Sequence, residues 1–487
     1  MASRFTRRTY LQKLAGGSMA ALTTLALAGC GAAVAVSSAV STTANATATV
    51  LVTSATVATA PATTASQTAA TTVQTTPSTA ATATTTTAAQ KVTKAALQLQ
   101  VWQNWGTESA DPRTAFTVST LAPRFAAEHP GLGFDLTFAG NGNAVLEKLT
   151  ANVAAGTPPD VSFIYAQWSV GLGRKGVTIA LDDLMATDKN FQKDDFYPDI
   201  WEALTYQNKV WAFPQNRHPL AVFYRTDLFD RYGATAPQTW TDFTQLIQRL
   251  THATQGQYAT DEGAGDGNLW DVVQRSNGGS FLSADGTQVT WDNAAGLAAL
   301  QYYADLYQKY TMAPPKAITN GFAGGQIAMT ISGPYRVTGY LTQKLPVLTF
   351  PFPHGSKEAA EHVNIDTWGV MKTTTARQEA AFTFVSWYAS KPIYGDWAIR
   401  FQHAPLTKSI AADPAYQKFV AATPVMAAFL NPDVVGTITP LTLVTADLTN
   451  ILNKHVTEAV TGNTDALTAL KQATTEANAT IAQALKA

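Results

Sequence analysis

Aromatic and amide side chains follow the predicted strands at the start of the folded part of the chain. Alternation of apolar and polar residues predicts strands over residues 97–101, 134–138 and 161–165. The side chains beyond the ends of these strands that could contact a ligand are Trp102, Trp105, Asn141, Gln167 and Trp168. An aromatic ring can cover the apolar face of a ligand, and an amide can both donate and accept hydrogen bonds. These residue types therefore indicate noncovalent recognition of a small molecule.

The sequence lacks the common motifs of nucleophilic, nucleotide and metal chemistry. It contains no Gly-x-Ser-x-Gly elbow, no Walker phosphate loop and no His-Glu-x-x-His zinc pair. Residues 263–267 imitate a glycine-rich phosphate loop, but they follow a polar stretch instead of a strand, which favours a simple turn. The 7 histidines are scattered along the chain. We therefore expect a protein that is not an enzyme and that holds neither a metal nor a cofactor.

Residues 1–30 have the pattern of an export signal. Arg7 and Arg8 precede an uncharged stretch over residues 14–28, as in bacterial twin-arginine signals. That stretch is shorter than the roughly 20 residues that a membrane-spanning helix needs. The Leu-Ala-Gly-Cys that follows resembles a lipobox, and Cys30 is the only cysteine in the chain. We therefore expect export, acylation of Cys30, and anchoring by that lipid to the outer face of the cytoplasmic membrane.

Residues 31–95 are predicted to be a disordered linker. Residues 31–90 lack Asp, Glu, Lys and Arg and consist mostly of Ala, Thr, Val and Ser. A segment without leucine clusters or aromatic residues cannot bury enough apolar surface to offset the entropy lost on ordering. The linker would tether the folded part to its anchor. The whole chain has 33 basic and 34 acidic side chains, so its charge balance does not favour nucleic acid as a partner.

The folded part begins with alternating strands and helices. Between the predicted strands, Leu121 and Phe125 share one helical face, and residues 145–153 predict an amphipathic helix. This order predicts an α/β fold whose mostly parallel sheet is covered by helices on both faces. Ligands of such sheets bind beyond the carboxyl ends of the strands, where the aromatic and amide side chains described above lie.

Several segments carry a family pattern in the same order along the chain. They are FAAEHPG at residues 125–131, the run ending in GTPPDV at 149–161, VWAFP and VFYRTDLF within 210–229, and FAGGQIAM and SGPY within 322–335. This ordered set resembles the extracellular solute-binding proteins of ABC importers, of the sugar-binding, maltodextrin-binding-protein-like kind. The departures are Arg225, where that family usually has Asn, and Tyr335, where it often has Trp.

The resemblance implies two α/β lobes around a ligand cleft, each a mostly parallel sheet flanked by helices, as in type II periplasmic-binding-protein-like folds. The implied lobe one is 96–214 plus 351–390, lobe two is 215–350 plus 391–487, and the chain crosses near 214–219, 350–353 and 390–392. The lobes would close on the ligand by hinge motion. The implied partners are a carbohydrate, either a mono- or an oligosaccharide, and the permease subunits of an ABC transporter, and we expect a monomer.

Ligand contacts are also expected in the crossings, in the second lobe, and at the start of the strand that follows the second crossing. Tyr335 replaces the family's Trp and is expected to stack on a sugar ring. The further expected contacts are Gln215, Asn216, Arg217, Asn268, Trp270, Asp366 and Trp368. Together with the side chains that follow the first strands, they complete the predicted site.

Two alternatives remain open at this stage. Arg217 and Arg336 could each bind a phosphate or carboxylate bidentately, which favours an anionic ligand such as a glycerol-phosphate ester. Asp160 and Asp366 could serve as the two carboxylates of a lipid-anchored glycan hydrolase if the fold brings them to one cleft. The primary prediction is a carbohydrate-binding lipoprotein of an ABC importer.

Overall fold

The computed structural model describes residues 96–264, 266–430, 435–437 and 439–486. Cys30, the twin-arginine pattern and the predicted linker over 31–95 lie outside the described residues. The strands are β1 (Leu97–Gln103), β2 (Leu132–Phe138), β3 (Val161–Tyr165), β4 (Thr205–Tyr206), β5 (Lys209–Val210), β6 (Phe213–Pro219), β7 (Ala221–Arg225), β8 (Tyr258–Thr260), β9 (Ile327–Ser332), β10 (Val347–Phe350), β11 (Ala360–Val370) and β12 (Val435–Thr437).

Helices occupy most of the intervening segments. They are α1 (Pro112–Phe116), α2 (Ala122–Glu128), α3 (Asn143–Ala154), α4 (Ala166–Arg174), α5 (Asp182–Thr187), α6 (Pro198–Leu204), α7 (Thr226–Tyr232), α8 (Trp240–Leu250), α9 (Gly267–Ser276), α10 (Ala294–Gln308), α11 (Val337–Thr342), α12 (Thr375–Tyr388), α13 (Lys391–Arg400), α14 (Lys408–Ala411), α15 (Pro414–Ala422), α16 (Thr445–Val460) and α17 (Ala466–Lys486). A π-helical turn at Thr117–Leu121 joins α1 to α2, and 3₁₀ turns lie at Lys193–Asp195, Ala253–Gln255, Pro334–Arg336 and Pro424–Leu430.

The first sheet has the strand order β12-β11-β3-β1-β2, and β6 also pairs with β11. Its strands β2, β1 and β3 run parallel, whereas β11 runs antiparallel to β3 and β6. Residues 161–164 of β3 are buried in succession, as expected for a parallel strand that is covered on both faces, whereas β1 exposes Gln100 on one face. The carboxyl ends of β1 and β3 therefore meet at one edge, beside the antiparallel strands β6 and β11.

The second sheet has the order β10-β7-β9-β8 and differs from the mostly parallel sheet that we predicted for each lobe. Strand β7 runs antiparallel to both β9 and β10, and only β8 and β9 run parallel. Strand β7 follows β6 directly, and β6 lies in the first sheet, so no crossover within the second sheet sets the direction of β7. Helices α9 and α10 connect β8 to β9, and this pair has the parallel arrangement that a long crossover allows.

Separate cores define the two lobes. The first lobe is the first sheet with its core, in which Phe125, Phe163 and Trp368 are buried. The second lobe is the second sheet with two adjoining cores, in which Trp270 and Phe223 are buried. Two strands, β6 and β11, run from one lobe to the other and pair with each other along most of their length. We call this antiparallel pair the hinge ribbon.

The packing at the C-terminal side differs from the expected lobe boundaries. Residues 391–487 were expected in lobe two, but Ile393, Trp397 and Tyr416 pack in the core of the first lobe. Phe419 packs against the cores of both lobes, and buried residues join the core of the second lobe from Val425 onward. The expectation rested on Pro392 as a hinge marker, but that proline occupies the first turn of α13, where a proline fits a helix well.

Candidate functional site

The hinge ribbon presents a stripe of polar side chains to a cavity of about 730 Å³. Asn216 and His218 alternate along β6, and His362, Asn364 and Asp366 alternate along β11. Since successive side chains of a strand point to opposite faces, these five residues share one face of the ribbon. Cross-strand pairing places Asn364 opposite His218 and Asp366 opposite Asn216. We call this stripe the cavity floor.

Side chains of both lobes form the walls of the cavity. Its aromatic residues are Trp105, Tyr165, Tyr335 and Phe401, its amides outside the floor are Asn104, Gln167 and Asn268, its charged residues outside the floor are Asp111, Arg113 and Arg336, and its remaining polar residues outside the floor are His403, Thr338, Thr439, Thr445 and Thr449. Amides, hydroxyls and imidazoles thus outnumber charged groups. Such a lining suits a ligand that both donates and accepts many hydrogen bonds.

Each of the two histidines of the floor forms a hydrogen bond with a side chain of β11. Nε2 of His218 lies 3.0 Å from Oδ2 of Asp366, and Nε2 of His362 lies 3.2 Å from Oδ1 of Asn364. Because these oxygens accept hydrogen bonds, each histidine donates from Nε2. Burial lowers the pKa of His362, so its neutral form persists into acidic solution.

Tyr335 and Tyr165 flank the floor from opposite lobes. Tyr335 is 43% exposed, and its ring packs edge-on against His218 with 5.2 Å between the ring centres. A Cβ on Gly333 would lie 2.6 Å from the Tyr335 ring, so the close packing of this ring requires glycine there. Burial, together with the nearby Asp366 and Tyr335, raises the pKa of Tyr165 and keeps its hydroxyl a donor. The two rings offer aromatic faces for a ligand between them.

Tyr165 lines the cavity, and the sequence analysis did not include it among the expected contacts. It is the last residue of β3, and we assigned it to the strand while assigning Gln167 and Trp168 to the site. The available signal was its position at the carboxyl end of a buried strand. Asn104, Arg113 and His218 were missed as well, although His218 follows immediately after the predicted contacts 215–217.

The charged residues on the walls have unequal surroundings. The guanidinium of Arg113 binds both carboxylate oxygens of Asp111, with Nε–Oδ1 at 3.0 Å and Nη2–Oδ2 at 2.6 Å. That pair is therefore close to neutral as a unit. Arg336 follows Tyr335 on the second lobe, is exposed, and has no carboxylate within salt-bridge distance among the described residues. It is the wall cation with the greatest freedom to bind a ligand.

The cavity brings together a part of the predicted site. The predicted residues that line it are Trp105, Gln167, Asn216, Asn268, Tyr335 and Asp366, and Arg336 lines it as well. These residues come from six separate stretches of sequence and from both lobes. Asn141 does not line the cavity and lies exposed in the loop between β2 and α3. Trp168 is half-buried beside the cavity, where its ring packs edge-on against Tyr165 at 4.8 Å.

Three predicted tryptophans belong to the cores instead. Trp270 is fully buried on α9, directly after the predicted turn at residues 263–267, and its Nε1 donates to the carbonyl of Gly296 at 2.9 Å. Trp368 is fully buried under Trp105 and α12, because helices cover the face of β11 beyond the cavity floor. Trp102 is 8% exposed, and the ammonium of Lys148 lies 4.5 Å from its ring centre. None of the three lines the cavity.

Arg217 and Gln215 do not line the cavity either, because strand alternation turns Arg217 to the back of the ribbon. There its guanidinium binds Oδ2 of Asp199 through Nε at 3.0 Å and Nη2 at 2.7 Å. Glu361 also faces this side, with Oε1 at 3.6 Å from Nη2 of Arg217. Burial raises the pKa of Glu361 to about 8, although Arg217 acts against that rise. Gln215 is fully buried at a bulge in β6.

The structure separates the two carboxylates that a hydrolase would have needed. Asp160 precedes β3, where Arg377 holds both of its oxygens at 2.6 Å, and it is 2% exposed. Asp366 pairs with Tyr165 at the other end of β3. With about 3.3 Å per residue, the length of this strand keeps the two residues roughly 16 Å apart. They cannot flank one glycosidic bond.

Neither a metal-binding cluster nor a membrane-spanning helix is present among the described residues. No group of three or more histidine, cysteine or acidic side chains in the described part of the chain is placed to hold a metal ion. Within the same ranges, no helix is both long enough and apolar enough to cross a bilayer.

Comparison with known proteins gives a consistent family and fold. Residues 115–393 match the model of the bacterial extracellular solute-binding protein family. A lactose-binding protein of Rhizobium radiobacter is 24% identical over 282 residues, which cover 53% of this chain and 64% of that protein. An ABC substrate-binding protein of Listeria monocytogenes in complex with cycloalternan has a TM-score of 0.68 at 20% identity, over 79% of this chain and 99% of that chain.

A second solved structure has a different kind of ligand. UgpB of Mycobacterium tuberculosis in complex with glycerophosphocholine has a TM-score of 0.69 at 18% identity, over 80% of this chain and 99% of that chain. Each of these two solved chains matches this chain over nearly its whole length. The likenesses confirm the predicted two-lobe α/β fold.

Proposed function

The chain belongs to the bacterial extracellular solute-binding proteins, and from this premise we propose that it captures a carbohydrate or polyol for delivery to an ABC permease. The observation that carries the proposal is the cavity of about 730 Å³, whose floor is a stripe of neutral amides and histidines with one carboxylate. A sugar offers apolar C–H faces and a rim of hydroxyls. Tyrosines suit the faces, and the amides and the carboxylate suit the rim.

The size of the cavity also suits this class of ligand. Small-molecule sites occupy roughly 300–1,000 Å³ and bury most of the ligand. The cavity falls in the upper part of that range, so it has room for an oligosaccharide as well as for a single ring. Relatives support the same class: one is named a mannitol-binding protein of Pseudomonas aeruginosa, 25% identical over 214 residues, and another is the lactose-binding protein described above.

Hinge closure is part of the proposed mechanism. Asn216 and Asp366 sit on the ribbon that joins the lobes, while Tyr165 and Tyr335 come from opposite lobes. A ligand can contact both tyrosines at once only when the lobes are close together, so it binds the closed form more tightly. Only this difference in affinity between open and closed forms can shift the equilibrium towards closure. Small-angle scattering should therefore show a smaller radius of gyration at saturating ligand, and an unchanged radius despite measured binding would contradict closure.

Export follows from the extracellular family, and the anchoring belongs to the proposal. We propose that Arg7 and Arg8 direct export and that acylated Cys30 holds the protein at the membrane, with residues 31–95 as a tether that gives the folded part reach. Cys30→Ser should release the protein from washed membranes into the soluble fraction. Retention of that variant in the membranes would exclude the lipid anchor.

An anionic ligand is the second candidate, because Arg336 lines the cavity and is exposed. The structure of the UgpB complex with glycerophosphocholine gives this candidate a precedent on the same fold. Arg217, the other arginine considered, is bound to Asp199 behind the ribbon and does not support it. The carboxylate of Asp366 on the floor opposes an anion, so we favour the neutral ligand.

A thermal-shift screen of the mature protein tests the proposal. The panel contains maltose, lactose, mannitol and ribitol as neutral compounds and glycerol 3-phosphate and glycerophosphocholine as phosphate-bearing compounds. Neutral sugars or polyols should raise the unfolding temperature and should be recovered intact, whereas a hydrolase would cleave the disaccharides. Stabilisation by the phosphate compounds alone would favour the second candidate, and the absence of any shift would refute both.

A further inference from the structure

His218 and Asp366 form the most completely constrained pair on the cavity floor. They lie on the two strands of the hinge ribbon, and Nε2 of His218 donates to Oδ2 of Asp366 at 3.0 Å. The side chain of His218 is 6% exposed, whereas that of Asp366 is 20% exposed. A ligand in the cavity therefore has access to the carboxylate much more readily than to the imidazole behind it.

The imidazole of His218 is fixed by its neighbours. The ring of Tyr335 packs against it at 5.2 Å and the ring of His403 at 5.4 Å, measured between centres. Nδ1 of His403 donates to the carbonyl of Phe401 at 2.7 Å, which orients that ring as well. A ring held on two sides cannot rotate freely, so its Nε2–H keeps one direction. The carboxylate that receives this hydrogen bond is held in one orientation too.

We propose that His218 is a positioning residue for Asp366, and that the pair selects ligands which place a hydroxyl on the cavity floor over ligands which place an anionic group there. This inference rests on the proposed function, because it takes the cavity to be the ligand site. Asp366 is the residue that discriminates between ligands, and His218 is the residue that orients it.

The chemistry of a carboxylate explains the selection. An ionised carboxylate has two oxygens that accept hydrogen bonds and no donor, so it bonds a hydroxyl hydrogen directly. A phosphate or carboxylate of a ligand would present a like charge and lone pairs to the same oxygens. Arg113 does not relieve that repulsion, because Asp111 holds its guanidinium through two hydrogen bonds. Arg336 also lines the cavity, but it belongs to the wall formed by the second lobe and not to the floor.

A second pair on the same strand repeats the arrangement. Nε2 of His362, which is 4% exposed, donates to Oδ1 of the exposed Asn364 two residues before Asp366. In both pairs, a buried imidazole stands behind a more accessible oxygen acceptor. Two acceptors two residues apart on a strand lie about 7 Å from each other. That spacing suits hydroxyls at different positions of one sugar.

The test measures the affinity of three variants by calorimetry for maltose, lactose and mannitol as neutral probes and glycerol 3-phosphate as the anionic probe. His218→Leu removes the donor, His218→Gln keeps an amide N–H near the position of Nε2, and Asp366→Asn removes the charge. His455→Gln is the matched control, because His455 is also buried and has its Nε2 at 3.0 Å from a carboxylate, that of Glu476, outside the cavity.

We expect His218→Leu to weaken binding of the neutral probes about tenfold or more, as the loss of one well-oriented hydrogen bond to a charged group would. His218→Gln should recover most of that loss. Asp366→Asn should lower the preference for neutral over anionic probes by about tenfold or more, because it removes the repelling charge. His455→Gln should leave all affinities within about twofold of the wild type, whatever it does to the unfolding temperature.

The possible failures are distinguishable. If the wild type binds none of the four probes, the proposed function fails and this inference fails with it. If the wild type binds neutral probes but His218→Leu behaves like His455→Gln, only the positioning role is refuted. If Asp366→Asn leaves the preference between neutral and anionic probes unchanged, the selection is refuted even where His218 affects affinity.

Discussion

Replacing Glu361 by Gln should stabilise the protein at alkaline pH and have little effect at acidic pH. The side chain of Glu361 is 4% exposed behind the hinge ribbon, 3.6 Å from the guanidinium of Arg217. That guanidinium is already committed to Asp199 through two hydrogen bonds, so it compensates the charge of Glu361 only in part. Burial therefore prevails and raises the pKa of Glu361 from 4.5 to about 8.

The direction and size of this change in unfolding free energy follow from proton linkage. A carboxyl whose pKa is higher in the folded than in the unfolded chain contributes stability that is complete below pH 4.5 and is lost as the pH rises through about 8. Each pH unit inside that window is worth about 1.4 kcal/mol per proton, so the loss by pH 9 is about 4–5 kcal/mol. Glutamine resembles the protonated carboxyl and does not titrate. The variant should therefore match the wild type at pH 5 and exceed its unfolding free energy by about 4 kcal/mol at pH 9.

Urea unfolding monitored by tryptophan fluorescence at pH 5, 7 and 9 measures this difference. The control is Glu379→Gln, which changes an exposed carboxyl on α12 and should follow the pH dependence of the wild type. Because the unfolding free energies of the variants are compared at the same pH, the contributions of all other titrating groups cancel. If the wild type and Glu361→Gln differ by the same amount at pH 5 and pH 9, the argument from burial is wrong.

Three further predictions concern the cavity and the ribbon. Tyr335→Ala should weaken neutral-sugar binding about tenfold to a hundredfold in calorimetry because a stacking face is lost, and Tyr335→Trp should preserve it. Arg217→Gln should lower the unfolding free energy by about 2–4 kcal/mol, since Asp199 loses its buried partner. The ligand affinity of the folded variant should stay within about threefold of the wild type. A large loss of affinity would show that Arg217 contacts the ligand after all. Burial holds the pKa of His403 well below 6.5, so the unfolding free energy should fall as the pH drops below that value. His403→Gln should reduce this fall, which urea unfolding at pH 7 and pH 5 measures.

Local sequence patterns predicted the elements of the first sheet well. The predicted strand over 161–165 matches β3, and the predicted helix over 145–153 lies inside α3. Alternation and helical periodicity are properties of adjacent residues, so one sequence contains them. The antiparallel second sheet was not predicted, because strand direction depends on which strands meet after a crossing. That information lies in contacts between distant segments.

The tryptophans show why the site was harder to predict than the fold. Tyr335 and Trp270 are both large aromatics near glycines, yet one is exposed to the cavity and the other is fully buried. Burial of Trp270 depends on α10 and on the carbonyl of Gly296, which packing brings to it from elsewhere in the sequence. An aromatic residue in a polar stretch is therefore ambiguous until its neighbours in space are known.

The hinge ribbon gives the clearest physical reason for a wrong site residue. Asn216, Arg217 and His218 are consecutive, and the sequence analysis treated 215–217 as one cluster of ligand contacts. A strand separates them by face, so Asn216 and His218 reach the cavity while Arg217 reaches Asp199 behind the ribbon. The same alternation divides the two tasks of the ribbon: one face holds polar groups for the ligand, and the other holds a buried ion pair that anchors the ribbon to the first lobe. In the proposed closure, the second lobe would pivot about a ribbon that the Arg217–Asp199 pair fixes to the first lobe, so the cavity floor would keep its arrangement.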